Sequence, residues 1–280
     1  MRSRWLFVLV VVVLSACAGR MQSAPALGTT RARIVALAPF VADDLYTIGA
    51  GGNLVAVSAF TDDPRARALP RVADASSIDA ERIVALHPDV AVGIRSQARQ
   101  TQALQHAGVR IVLLDDDGYE TIFSNLRTIG ALCGRRAQAD EKVAGLRRTT
   151  AELHAQTHAF RRAPSVFVVL GNAPIWTAGN RSYVATLIAL AGGTNAASDL
   201  PAAYAQYSSE ALMRAQPAII VADPMVHLDA ALGTVPWSRL QAVRARRVYT
   251  VQPPDILMRP GPQYNDGIRW LIDRLKPIAS

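Results

Sequence analysis

Short apolar runs rich in β-branched residues alternate with helical patterns in the first half of the chain. The runs at 33–37, 54–57, 90–92 and 110–114 have the length and composition of buried strands. The segments between them carry helical spacing, and several end at glycine or just before proline. Because parallel strands need crossover connections that are usually helical, this order predicts a parallel α/β sheet.

A longer helical segment, at about 139–162, interrupts the alternation. It contains no proline, and Pro164 follows it. A strand predicted at 166–170 then restarts the α/β pattern, which continues to the end of the chain. We therefore expect two lobes connected by one stiff helix. The predicted boundaries are an N-terminal α/β lobe at 33–138, a linking helix at 139–163 and a C-terminal α/β lobe at 164–280.

An internal repeat supports the two lobes. Segment 81–92 (ERIVALHPDVAV) aligns with 210–221 (EALMRAQPAIIV) at an offset of 129 residues. Each copy predicts a helix that opens with glutamate, a turn that contains proline and a buried strand. A weaker similarity relates 50–53 (AGGN) to 191–195 (AGGTN).

The start of the chain has the layout of an export signal. Arg2 and Arg4 precede an unbroken apolar run at 5–14, about half of the roughly 20 residues that span a membrane. The run ends in Leu-Ser-Ala-Cys17, which resembles the lipobox of bacterial lipoproteins. We expect 1–16 to be a signal peptide and 17–32 to be a lipidated Cys17 followed by a tether. An exported protein, periplasmic or on the cell surface and lipid-anchored to a membrane, is predicted.

Charge and cysteine content fit this prediction. Loss of Arg2 and Arg4 with the signal lowers the formal net charge from +8 to +6. The remaining arginines are dispersed and not interleaved with aromatic residues, so nucleic acid is not an expected partner. Lipidation of Cys17 leaves Cys133 without a partner for an intramolecular disulfide, and its apolar setting predicts a buried structural thiol.

Four segments resemble the class III, helical-backbone family of solute-binding proteins, which serve bacterial ABC importers of cobalamin, ferric siderophores or haem. They are 33–51 (RIVALAPFVADDLYTIGAG), 80–93 (AERIVALHPDVAVG), 215–221 (AQPAIIV) and 259–263 (RPGPQ). The resemblance implies an α/β fold of two Rossmann-like lobes with central sheets, joined by a single long backbone α-helix, with the ligand in the cleft between them.

The resemblance also implies the function and the partners. It implies a membrane-anchored monomer without a cofactor of its own. Such a protein captures a metal chelate, cobalamin or a ferric siderophore, and delivers it to an ABC permease dimer with its ATPase subunits. Glu81 and Glu210, one at the start of each repeated helix, match the glutamates with which the family docks onto arginines of the permease. The alternative reason for each glutamate is its favourable interaction with the helix dipole.

Aromatic and polar residues in loops after strands match or suit the family's ligand cleft. These ligand-binding candidates are Phe40, Phe60, Arg95, Trp176, Tyr204, Asp255 and Arg259. Two further aromatic positions of the cobalamin-binding members fall on Ala75 and Ile94 here. Arg95 and Arg259 suit an anionic siderophore or the propionates of haem.

Three other functions are alternatives to this interpretation. A haem receptor of the same fold is one alternative, with Tyr204 or Tyr207 as a candidate iron ligand. An exported enzyme and a scaffold without a ligand are others, but the main metallopeptidase, redox, hydrolase and P-loop signatures are missing from the sequence. The aspartates at 115–117 are expected to end a strand and cap the next helix rather than bind a cation. His154 and His158 lack a third ligand and are expected on a solvated helix face.

Overall fold

The computed structural model describes residues 32–74, 76–116 and 118–280, apart from the side chain of Asp255. The predicted signal peptide, Cys17, nearly all of the tether and Ala75 lie outside the described residues. Among the helices of the described part, none has the length and apolar character needed to cross a bilayer.

The N-terminal lobe is built around five parallel strands in the order β3-β2-β1-β4-β5. The strands are β1 Ile34–Ala36, β2 Leu54–Ser58, β3 Arg71–Ala73, β4 Val90–Ile94 and β5 Arg110–Leu114. The helices are α1 Pro39–Thr47, α2 Ala80–Ala85, α3 Gln102–His106 and α4 Tyr119–Leu132. Four of the strands confirm the sequence prediction. Strand β3 was not predicted from the sequence, because three residues that include an arginine give no apolar run.

The linking helix is α5, Arg136–Gln156, and a 3-10 turn at Thr157–Ala159 follows it. Few of its residues are buried, as expected of a helix that runs along the outside of both lobes. Its contacts are mainly with α4 before it and with the last helix of the chain, which belongs to the second lobe.

The C-terminal lobe contains two sheets, a parallel one in the order β12-β11-β6-β9 and an antiparallel one in the order β10-β8-β7. The parallel strands are β6 Ser165–Val169, β9 Thr194–Asn195, β11 Ile219–Ala222 and β12 Val248–Thr250. The antiparallel strands are β7 Gly171–Asn172, β8 Ile175–Ala178 and β10 Tyr204–Gln206. The helices are α6 Tyr183–Leu190, α7 Ser209–Ala215, α8 Gln241–Arg244 and α9 Tyr264–Ala279. The two sheet-containing lobes and the long helix confirm the predicted fold class.

The 129-residue repeat is confirmed at the level of hydrogen bonds. Asp79 caps α2 by accepting a hydrogen bond from the backbone N–H of Arg82, and Ser208 caps α7 by accepting one from Ala211. Capping side chains of this kind satisfy N–H groups that the first turn of a helix leaves unpaired. Both the cap and its donor are 129 residues apart in the two lobes, so the helices begin at equivalent positions.

The ends of the repeated helices also correspond. His87 follows α2 with φ of 45°, and Gln216 follows α7 with φ of 38°. A left-handed residue reverses the chain at the end of a helix, and proline comes next in both copies. The chain then enters β4 in one lobe and β11 in the other.

A second correspondence relates the glycines that end α1 and α6. It is shifted by two residues from the alignment of 50–53 with 191–195. Gly49 and Gly192 both have positive φ, 72° and 78°. The next residue in each copy bonds back to the helix, from Ala50 N to Leu45 O at 2.7 Å and from Gly193 N to Ile188 O at 2.9 Å. The expected match of Gly51 with Gly192 is therefore wrong, because the equivalent glycine is Gly49.

The lobes share a continuous hydrophobic core at a joint formed by α4, α5 and α9. The rings of Tyr119, Phe123 and Tyr264 pack edge to face with centroids 5.2–5.9 Å apart. The hydroxyl oxygens of Thr150 and Tyr264 lie 2.7 Å apart, and Asn265 donates to the carbonyl of Leu146 at 2.9 Å. The linking helix is thus packed and hydrogen-bonded to the second lobe along its side.

The two equivalent glycines predict different responses to substitution. Gly49→Ala is expected to lower the free energy of unfolding by about 1–2 kcal/mol, the cost of a left-handed backbone for alanine. Its Cβ would meet only Arg135 Nη1, at 3.5 Å. Gly192→Ala is expected to cost about 1–3 kcal/mol more, because its Cβ would lie 2.7 Å from atoms of Thr157 and Phe160. Urea denaturation of both variants measures the difference, and equal losses would contradict the packing described here.

Candidate ligand-binding cleft

Three candidate ligand residues of the N-terminal lobe lie after the carboxyl ends of parallel strands. Phe40 follows β1, Phe60 follows β2 and Arg95 follows β4. Because the carboxyl ends of parallel strands meet at one edge of the sheet, the structure brings these positions to the same side of the lobe. This edge is where open α/β sheets bind their ligands.

Trp176 and Tyr204 form an aromatic shelf on the second lobe. In the antiparallel pair of β8 and β10, Tyr204 lies opposite Ala178 and Gln206 lies opposite Trp176, so all four side chains share one face. Trp176 is 40% exposed and Tyr204 is 37% exposed. Large aromatic side chains normally bury most of their surface, so a pair left open on one sheet face is available to a flat apolar ligand.

Arg259 joins the edges of the two lobes. Its Nη1 donates to the carbonyl oxygen of Phe60 at 3.0 Å, and its Nη2 donates to the Asp62 carboxylate at 2.7 Å. The bonded residues are nearly 200 positions apart in sequence, in the loop after β2 and in the loop before α9. The carboxyl edge of the first sheet therefore faces the 251–263 loop of the second lobe. Asp62 was not a sequence-predicted site residue, although it stands two positions after Phe60 in the same loop.

Phe40 is placed differently from the other aromatic candidates. It is 5% exposed, in the hydrophobic core. A Cβ added to Gly261 would lie 3.7 Å from the Cβ of Phe40, so this residue lies against the loop that carries Arg259. The structure places the Phe40 side chain behind the cleft surface, because it lies on the inner face of α1.

Arg95 also has a carboxylate partner. Its guanidinium is ion-paired with Asp115, which follows the neighbouring strand β5. The hydrogen bond from Arg95 holds the pKa of Asp115 below its ordinary value. Helix α4 begins after Gly118 with no side-chain cap. The expected capping role is therefore wrong for Asp115, because its carboxylate is committed to Arg95; Asp117 lies outside the described residues.

Two further positions expected at the cleft are Asp255 and Ile94. The backbone of Asp255 lies in a 3-10 turn at Pro254–Ile256. Ile94, where cobalamin-binding members have an aromatic residue, ends β4 and is half-buried. Asp255 and Arg259 were expected together at the edge of the ligand. Of this pair the structure describes only the side chain of Arg259, which is bonded to Asp62.

A buried tyrosine lies under the second half of the cleft. The Tyr183 hydroxyl donates to the carbonyl of Leu257. Burial raises the pKa of Tyr183 well above its ordinary value, and the nearby Tyr204 hydroxyl raises it further, while Arg259 lowers it. The bond from Tyr183 ties the loop that carries Arg259 to the start of α6, five residues after the end of the shelf strand β8. The shelf and the arginine therefore belong to the same region of the lobe.

The repeated glutamates lie on the surface. Glu81 is exposed in the first turn of α2, and Glu210 is exposed in the first turn of α7. A groove of about 530 Å³ adjoins Glu210, lined by Ser208, Val235 and Trp237 among others. Among the described residues neither glutamate forms an ion pair, and both residues are exposed to solvent.

His154 and His158 lie side by side at the end of the linking helix. His154 and His158 stack edge to face, and His154 Nδ1 lies 3.0 Å from the carbonyl oxygen of Leu190. Within the described ranges no group of three potential ligands can hold a metal ion. Cys133 is half-buried rather than fully buried as predicted. Burial still raises the pKa of its thiol to about 11, which disfavours the reactive thiolate.

Two lobes on one packed helix, with a cleft between the carboxyl edge of one sheet and an aromatic shelf on the other lobe, define a rigid solute-binding protein. The chain belongs to the periplasmic binding protein family, whose model matches residues 34–254.

Individual relatives agree with this assignment. The chain is 32% identical over 196 residues to a vitamin B12-binding protein of Pectobacterium atrosepticum, a match that covers 68% of this chain and 70% of the relative. It is 26% identical over 254 residues to an ABC transporter substrate-binding lipoprotein of Bacillus subtilis, covering 88% of this chain and 80% of the relative.

Two solved structures share the fold over nearly the whole described chain. A periplasmic haem-binding protein from Pseudomonas aeruginosa superposes with a TM-score of 0.78 at 27% identity, covering 89% of this chain and 94% of that chain. The vitamin B12-binding protein of Vibrio cholerae superposes with a TM-score of 0.74 at 25% identity, covering 88% and 98%.

The shelf tryptophan is expected to contribute little to folding. Trp176→Ala should lower the free energy of unfolding by less than about 1 kcal/mol, because 40% of the residue is exposed and it lies outside the hydrophobic core clusters. Trp237→Ala should cost about 3–5 kcal/mol, because Trp237 is 2% exposed and its Nε1 donates to Asn172 at 2.8 Å. Chemical denaturation compares the two. A loss for Trp176→Ala as large as that for Trp237→Ala would show that the shelf is part of the core.

Proposed function

We propose that this protein is the substrate-binding component of an ABC importer and that it captures a metal chelate in the cleft between its lobes. The family and the names of its relatives support a binding role rather than catalysis. The observation that carries the proposal is the aromatic shelf of Trp176 and Tyr204, which lies near an arginine that reaches across to the other lobe. A large, flat, partly apolar ligand with polar edges fits a site of this composition.

Export and membrane attachment are part of the proposal. The lipobox-like end of the apolar run at 5–14 supports cleavage before Cys17 and lipidation of that residue. A relative described as a substrate-binding lipoprotein supports the same arrangement. The protein then works as a monomer on a lipid anchor and a tether, in the periplasm or at the cell surface, and passes its ligand to a permease dimer with ATPase subunits.

The chelate is cobalamin, a ferric siderophore or haem. Cobalamin is supported by the relatives that bind vitamin B12. Haem is supported by the haem-binding structural neighbour and by the arginines of the cleft, which suit propionates.

For haem, the two tyrosine candidates differ. The Tyr207 hydroxyl donates to Asp199 at 2.9 Å, and burial and this bond raise the pKa of Tyr207 to about 12. A phenolate ligand to iron is thereby disfavoured at Tyr207. Tyr204, on the exposed shelf, is the better candidate.

A binding screen of the purified protein tests the proposal. Cyanocobalamin, haemin and a ferric siderophore are each titrated while the visible spectrum and the heat of binding are recorded. Saturable binding of one of them at a 1:1 ratio, without turnover, is expected. If none binds, the cleft is that of a scaffold without a ligand and the proposal is wrong.

Loss of the shelf tryptophan is expected to weaken binding of whichever chelate the screen identifies. Trp176→Ala should raise its dissociation constant at least about tenfold, because stacking on a large aromatic ring is lost. Trp270→Phe is the matched control. Trp270 lies on α9, where the Cζ of Arg274 is 3.6 Å from its ring centroid. This variant should bind the ligand as the wild type does. Titration calorimetry measures both. Unchanged affinity in Trp176→Ala would remove the shelf from the site.

The exposed glutamates are proposed to dock onto arginines of the permease. The double variant Glu81→Ala, Glu210→Ala is expected to abolish uptake and to leave the dissociation constant of the ligand unchanged, because neither carboxylate is among the residues of the cleft described above. Uptake of labelled ligand in cells and titration of the purified variant measure the two effects. Glu141→Ala, which removes an exposed carboxylate from α5, is the control. Normal uptake by the double variant would contradict the docking role.

A further inference from the structure

Two arginines, one from each lobe, donate hydrogen bonds to the loop after β2. Arg71, in the same lobe, donates through Nη1 to the carbonyls of Ser58 at 3.1 Å and Thr61 at 2.7 Å. Arg259, from the other lobe, donates to the carbonyl of Phe60 and to the carboxylate of Asp62. The loop therefore keeps its attachment to its own lobe when the bonds from Arg259 are broken.

The guanidinium of Arg259, which an acidic ligand would bind, is already bonded to the carboxylate of Asp62. A guanidinium binds carboxylates through a planar set of donors, and one of its nitrogens is committed to Asp62. The Arg259 side chain is only 24% exposed, whereas that of Asp62 is 66% exposed. The carboxylate is thus the partner that can leave toward water, and the arginine is the partner that stays.

The other candidate arginine is also paired with an aspartate. Arg95 is ion-paired with Asp115, and here the arginine is the more exposed partner, at 68% against 46%. Each cleft arginine expected to meet an anionic ligand is therefore already neutralised by an aspartate of the N-terminal lobe. An acidic ligand gains the attraction of Arg259 only by competing with Asp62.

We propose that Asp62 determines ligand specificity: in the ligand-free protein it holds Arg259 and the loop of Phe60 across the cleft, and an acidic group of the ligand takes its place. This inference rests on the proposed function and names a residue that acts on the same site. Asp62 disfavours acidic chelates relative to neutral ones, because only an acidic group has to displace it. Removal of its charge leaves Arg259 free for the ligand.

The variant Asp62→Asn tests the proposal with two probes, haemin, which carries two carboxylates, and dicyanocobinamide, a corrinoid that carries neither a carboxylate nor a phosphate. The dissociation constant of haemin is expected to fall about two- to fivefold, the range by which a partly exposed ion pair shifts an equilibrium. That of dicyanocobinamide is expected to stay unchanged. Asp266→Asn, which removes an exposed ion pair with Arg269 on α9, is the matched control and should change neither. An unchanged or higher dissociation constant for haemin, or an equal gain for both probes, would overturn the proposal.

A measurement without ligand separates this inference from the proposed function. Hydrogen–deuterium exchange of peptides that cover 58–64 is expected to be faster in Asp62→Asn than in the wild type and in Asp266→Asn, because one of the bonds to Arg259 is weakened. Equal exchange in all three proteins would show that Asp62 does not hold the loop. If the wild type binds none of haemin, cyanocobalamin and the ferric siderophore, the proposed function fails, and the exchange measurement still decides whether Asp62 holds Arg259.

Discussion

The buried joint between the linking helix and the last helix sets the geometry of the whole molecule. Thr150 of α5 meets the hydroxyl of Tyr264 on α9, and Tyr119 of α4 packs against the same ring. Three helices from both sides of the molecule are thereby fixed in one core, and the lobes do not depend on a flexible hinge. A cleft held in this way is formed before the ligand arrives, so binding does not have to order the two lobes.

The electrostatics of the cleft follow from that fixed geometry. Because the lobes face each other at a set distance, Arg259 of one lobe reaches the loop after β2 of the other. The hydrogen bond from Arg259 to the carbonyl of Phe60 fixes the backbone of Phe60. Phe60 thereby lies across the cleft from Trp176 and Tyr204. Apolar walls and paired charges in one cleft match a chelate that has a flat apolar body and polar edges.

Much of the fold could be predicted from the sequence because it depends on local patterns. The repeat placed Glu81 and Glu210 on equivalent helices, since capping and the proline turn are encoded within a dozen residues. The antiparallel sheet that carries the shelf was missed, because its strands have only two to four residues. The bond between Arg259 and Asp62 has no local signal, because nearly 200 residues separate its partners. Asp115 shows a third case, in which a predicted helix cap instead pairs with Arg95, which follows the neighbouring strand β4.

A metal chelate is expected to bind between the lobes without a large change in their orientation. A crystal structure of the protein with bound haemin or cobalamin, with anomalous scattering recorded at the metal edge, would locate the metal. We expect one metal peak between the aromatic shelf of Trp176 and Tyr204 and the loop of Phe60, with the joint at Tyr264 unchanged. A metal peak outside this cleft, or lobes that have swung apart about α5, would contradict it.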